Sequence, residues 1–176
     1  MDSRTLDLFR SEVARQCSFA LIAFQDIHDE YGRDINRLAY SIENVLVALV
    51  HISRLLFPAP GDTEGLPERG SELRKSLGIP DDSPLSEKML GTLRNDFEHF
   101  DARLTKWVRR HPGATFVDFN VMRKEDIDIP GMIPLRHFDP VSAEISFQDH
   151  SVNMVPLFNA VKGLYARAQR EERPSS

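Results

Sequence analysis

Two consecutive segments, each long and each striped at helical spacing, constrain this chain more than any other feature. Leu6, Phe9, Val13, Cys17, Ala20, Phe24 and Ile27 recur three and four residues apart. Ile35, Leu38, Ile42, Val45, Leu46, Leu49, Ile52 and Leu56 do much the same. A period near 3.6 puts each set on one side of a helix, with an apolar stripe that must be buried. The spacing predicts helices over residues 5–31 and 34–57. Gly32 suits the left-handed conformation that closes a helix, Asp34 suits the cap of the next, and Pro58 and Pro60 stop it.

Residues 58–83 are rich in Pro, Gly and charge and read as a long connection, with a short helix over 71–77. A third long helix is expected from about 83 to 112. Pro84 falls in its first turn, and Leu90, Leu93, Phe97, Phe100, Leu104, Trp107 and Val108 form its buried face. The period then changes. Residues 116–121 read as a strand and 133–138 as another. Val141, Ala143, Ile145 and Phe147 alternate with polar residues in a third, after an Asp139-Pro140 turn. A last helix is expected from 151 or 152, with Val155, Phe158, Val161, Leu164, Tyr165 and Ala168 facing inward. The expected architecture is therefore mainly α: an up-and-down four-helix bundle with a small antiparallel β insertion, residues 114–149, between helices three and four. A chain of 176 residues is short for two ordinary domains, so a single domain over 1–176 is expected.

Charge and cysteine usage narrow the class. With 41% hydrophobic and 28% charged residues the chain has the balance of a soluble globular protein. No apolar run reads as a membrane span, because Val45–Val50 is broken by His51. The early acidic residues Asp2 and Asp7 do not suit a signal peptide, and one cysteine, Cys17, excludes an intramolecular disulfide. Cys17 lies in an apolar stripe and reads as a small buried side chain. A cytoplasmic location is expected. The net charge of −5 removes the global basic field that draws nucleic acid. Local clustering remains, since Arg103, Lys106, Arg109 and Arg110 crowd the end of the third helix. Singly, these read as solvated cations complementing a helix C-terminus.

The residues with the most chemical content are Arg94, Asn95 and, five positions after the Arg, His99. An arginine keeps its charge and holds a phosphate bidentately, while an imidazole titrates near neutral pH. Those are the groups that metal-independent RNA cleavage needs. On an unbroken helix Arg94 and His99 would stand about 140° apart, flanking the core stripe. Arg94-Asn95 and His99 resemble the R-x4-6-H signature of the HEPN superfamily, in which a polar residue commonly follows the Arg. The resemblance implies a small helical bundle and a metal-independent endoribonuclease with a toxin or defence role. It further implies a homodimer whose interface composes the site, RNA as substrate and an antitoxin as partner. His99 would be general base or acid, Arg94 would stabilise the phosphate charge, and Asn95 would orient His99. Glu98, Arg103 and Lys106 would help bind or position the substrate. No cofactor and no metal is implied.

Other readings stand beside this one. Arg94 and Glu98 are four apart and can form a simple helix ion pair, Asn95 can be an exposed polar residue, and His99 can sit at the edge of the core. The acidic net charge suits a non-catalytic HEPN-like binding or interaction module that forms a dimer. A metal enzyme has six histidines to draw on, with His51 and His99 on neighbouring helices. The His-x-x-x-His and Glu-x-x-His spacings of bundle metal sites are nevertheless missing. There is no Walker-type glycine loop, no G-x-G-x-x-G and no G-x-S-x-G.

Overall fold

A computed structural model describes residues 1–58, 66–86, 90, 99–127, 132–147 and 150–170. The protein is mainly helical with a small four-stranded sheet, and it divides into two compact units. The first comprises Met1–Leu90 with Pro156–Ser176, and the second Gly91–Val155.

The first unit is built on the two long helices that the apolar stripes require, α1 (Ser3–Glu30) and α2 (Ile35–Leu56). Asp2 caps α1 by accepting from the Thr5 amide at 2.9 Å, and Asp34 caps α2 by accepting from the Asn36 and Arg37 amides. Gly32, at φ +76°, takes the left-handed conformation between the helices, which folds them back into an antiparallel pair. Val13, Cys17 and Ala20 of α1 and Ile42, Val45 and Leu49 of α2 are fully buried. Burial also pushes the Cys17 thiol up to about 12, so it is no nucleophile at neutral pH.

A shorter helix, α3 (Leu66–Ser76), lies within the expected connection and is longer than the 71–77 segment anticipated there. Its task is local. Arg69 donates to the Arg54 carbonyl at 3.1 Å and Arg74 donates to the Leu56 carbonyl, so α3 satisfies the last carbonyls of α2. Arg74 also stacks on the Phe57 ring at 4.8 Å. Gly70 makes this approach possible, because a Cβ there would meet Pro58 Cδ at 2.5 Å and the Leu56 carbonyl oxygen at 2.9 Å. The last helix, α5 (Met154–Arg170), buries Leu157, Val161, Leu164 and Ala168, and its Phe158 meets Phe24 of α1 edge-on at 5.2 Å.

The second unit holds α4 (Phe100–Arg110) and the six strands found among the described residues. β1 (Thr115–Val117) pairs with β3 (Met132–Pro134) in a two-stranded parallel sheet. The larger sheet runs in the order β2 (Asn120–Val121), β4 (Arg136–Asp139), β5 (Glu144–Phe147), β6 (His150–Asn153). Its first pair is parallel and the other two are antiparallel. The register places Val121, Phe138, Ile145 and Val152 in one row on one face, and Asn120, His137, Ser146 and Ser151 in the next row on the other. On the apolar face the ring of Phe147 lies 5.9 Å from that of Phe100 at the start of α4. Arg136 covers Phe100 and grips Asp118 bidentately at 2.8 and 2.6 Å.

Several expectations are corrected. The third helix does not run unbroken over 83–112: Ser83 to Ser86 form a turn, and α4 begins only at Phe100. The β segment is not simply antiparallel, since two of the four strand pairs among the described residues are parallel. Residues 116–121 are not one strand, because Asp118 and Phe119 leave the extended path to meet Arg136. Val141 and Ala143 sit in the turn before β5. There Ala143 adopts φ +53° and Asp139 accepts from the Val141 and Ser142 amides. The last helix starts at Met154, because β6 takes residues that alternate as a strand. Finally, α2 is by length and composition apolar enough to cross a membrane (mean hydropathy 1.3), which the sequence reading did not anticipate. Its apolar stripe is the core seam of the first unit.

Candidate functional site

The site is built on α4. His99 is the N-cap residue of this helix, with φ −117° and ψ 33°, and its carbonyl accepts the first helical bond from the Arg103 amide at 2.9 Å. Its imidazole makes no capping hydrogen bond and is exposed. The helical path therefore does not continue through His99. The angle of about 140° that an unbroken helix would set between Arg94 and His99 does not apply. Arg94, Asn95 and Glu98 lie outside the described residues.

Once α4 is counted from its true start, a pattern appears. His99, Arg103, Lys106 and Arg110 follow one another at four, three and four residues, which places them within about 60° of one another around the helix axis. The line is about 16 Å long at 1.5 Å per residue. It runs beside the apolar side of the helix, where Trp107 is buried. Lys106 and Arg110 are exposed and Arg103 is half-buried, as the edge position requires. Lys106 and Arg110 have no ion-pair partner among the described residues. Asp101, in the first turn, points to the opposite side of the helix and leaves the line uniformly cationic. At the far end His111 is committed locally, with Nδ1 3.0 Å from the Trp107 carbonyl oxygen and its ring 5.0 Å from the indole.

Chemically, this arrangement offers one exposed imidazole followed by three cations at intervals of one helical turn. It can hold successive phosphates of an extended polyanion and present a proton-transfer group to the one nearest His99. Three of the residues in this line, His99, Arg103 and Lys106, were singled out by sequence. Arg110 was named only within the cationic cluster at the end of the third helix, and the four-three-four spacing that joins it to His99 is the signal that sets it in this line. Among the described residues no group of three or more His, Cys, Asp or Glu is placed to hold a metal ion.

A second polar group stands apart from this one. Asn120, His137 and Ser146 face one another across β2, β4 and β5. Asn120 Nδ2, both His137 ring nitrogens and Ser146 Oγ are buried and have no hydrogen-bond partner among the described residues. Burial lowers the His137 pKa. Lys124 adds to that effect, while Asp139 and Glu144 oppose it. No sequence signal marks this row, because it depends on strand register. Comparison of the chain with protein-family models, curated proteins and solved structures gives no match.

Proposed function

We propose that the protein is a metal-independent endoribonuclease of the HEPN type, acting as a homodimer in a toxin or defence role with an antitoxin as partner. The observation that carries this reading is the exposed His99 at the head of the cationic line Arg103, Lys106, Arg110. In the reaction a ribose 2′-hydroxyl attacks the adjacent phosphorus as its proton passes to a base. The bond from phosphorus to the 5′-oxygen breaks, and that oxygen receives a proton. The products are a 2′,3′-cyclic phosphate and a free 5′-hydroxyl. His99 of one copy serves as base or acid, a step typically worth about 10² to 10⁴ in rate. Arg94 neutralises charge on the pentavalent phosphorus, Asn95 orients the imidazole, and Glu98 positions Arg94. Arg103 and Lys106 hold the phosphates that follow the scissile one. A bundle of the four-helix HEPN kind belongs to the same proposal, as does a cytoplasmic site of action.

The net charge of −5 favours a second reading, in which the same line binds a phosphate chain in a non-catalytic interaction module. One experiment separates the two. Wild-type, Arg94→Ala and His99→Ala proteins are incubated with end-labelled single-stranded RNA in EDTA. The nuclease reading expects a 2′,3′-cyclic end from the wild type, with at least a 100-fold slower reaction in each variant. Uncleaved RNA retained equally by all three proteins would leave the binding module.

A further inference from the structure

The cationic line of α4 offers donors alone. Arginine and lysine present N–H groups and no acceptor, so the line matches phosphate oxygens, which RNA and DNA carry alike. A different kind of group stands at the end of the helix. His111 closes α4 directly after Arg110, with φ −123° and ψ 61°, on the flank of the line that faces Trp107. Its ring is held at two points. Nδ1 is 3.0 Å from the Trp107 carbonyl oxygen, and the ring centre is 5.0 Å from that of the indole. A carbonyl oxygen only accepts, so Nδ1 carries the proton of the neutral ring and Nε2 is left as a bare acceptor. Nε2 has no hydrogen-bond partner among the described residues, and the ring is only half-buried. Trp107 is itself buried, which fixes the support beneath the imidazole.

We infer that His111 is a specificity-determining residue, whose Nε2 accepts from the ribose 2′-hydroxyl of the nucleotide held by Arg110. This role rests on α4 as a phosphate-binding line, whether or not the strand is cleaved. The sugar is favoured over the base because a strand that follows the cations keeps its sugar–phosphate track against α4. The 2′-hydroxyls lie on that track, whereas base edges leave it. A preset ring also loses little freedom on binding, since its tautomer and its plane are already fixed. The task is recognition and not chemistry at the reacting phosphate. His111 lies about three helical turns from His99, or about 18 Å along the axis, so the two imidazoles meet different nucleotides. Discrimination of RNA from DNA on this line then comes from one neutral hydrogen bond, which gives about a 3- to 10-fold preference.

The test is binding of oligocytidylate and oligodeoxycytidylate of equal length to the full chain, read by fluorescence anisotropy in EDTA. The host protein carries His99→Ala so that the RNA stays intact. It should hold the RNA about 3- to 10-fold more tightly than the DNA. His111→Phe keeps a flat ring against the indole and removes the acceptor. In it the two affinities should become equal, with that for DNA unchanged. His111→Gln sets an amide oxygen where Nε2 stands and should keep most of the preference. Near-ultraviolet circular dichroism of Trp107, the one tryptophan, checks that both variants keep the packing at this end of α4. Equal binding of RNA and DNA by the host would overturn the role of His111 and leave the phosphate line standing. So would a preference that survives in His111→Phe, or one that His111→Gln loses as fully as His111→Phe. No binding of either strand would overturn both.

Discussion

His137 is buried with neither ring nitrogen hydrogen-bonded among the described residues, against what its side-chain type prefers. A buried imidazole with neither nitrogen bonded forfeits water contacts that the fold does not return. The folded state binds its proton less readily than the unfolded chain, since burial is the leading cause of the lowered pKa. Between the ordinary histidine value near 6.5 and the lowered one, the unfolded state carries more protons, so stability falls as pH falls through that window. The expectation is a urea midpoint lower at pH 5.5 than at pH 7.5. In His137→Leu that part of the difference should vanish, with a gain of about 1 kcal/mol at neutral pH. A loss of stability in His137→Leu at pH 7.5 would mean that the imidazole has a bonding partner in solution. At this scale the sequence was partly informative. Cys17 reads as core from its stripe and is core, whereas nothing local in Arg136-His137-Phe138 says which of three consecutive large residues is buried and unpaired.

Among the elements, α1 and α2 were legible because their stripes, caps and closing glycine all agree, and such agreement leaves little for tertiary context to decide. α4 was misread at its start for a physical reason. Apolar residues at 90, 93, 97, 100, 104 and 107 keep helical spacing straight through His99, and spacing alone cannot register a break that no proline or glycine marks. The strands were found roughly but their pairing was not. Parallel partners such as β2 and β4 lie 16 residues apart from first residue to first residue, and register between distant segments is set by packing that a local pattern does not contain. The element-level prediction concerns α3. An added methyl in Gly70→Ala collides with the Leu56 carbonyl and Pro58, a type of overlap that costs about 1 to 3 kcal/mol, against about 1 kcal/mol returned by better helix propensity. Urea unfolding should show net destabilisation of up to about 2 kcal/mol, and an unchanged or raised midpoint would contradict the close approach of α3 to the end of α2.

For the whole molecule, the sequence conveyed a mainly helical chain with a β segment before its last helix. It did not convey that α4 groups with the strands, because Phe100 offers the same apolar face to a helix or to a sheet, and only its contact with Phe147 decides. The candidate site was legible as residue types and spacing, whereas the exposed N-cap position of His99 at the start of α4 became visible only in the structure. The central claim is that His99, Arg103, Lys106 and Arg110 form one phosphate-facing line on an otherwise acidic protein. Its most direct test is the salt dependence of binding to labelled single-stranded RNA, measured with His99→Ala protein so that the strand stays intact. Three cations neutralising three phosphates give a slope of log K against log salt of about −2, and Lys106→Ala and Arg110→Ala should each reduce it by about 0.7. No measurable binding at low salt, or a slope that neither substitution changes, would contradict the account.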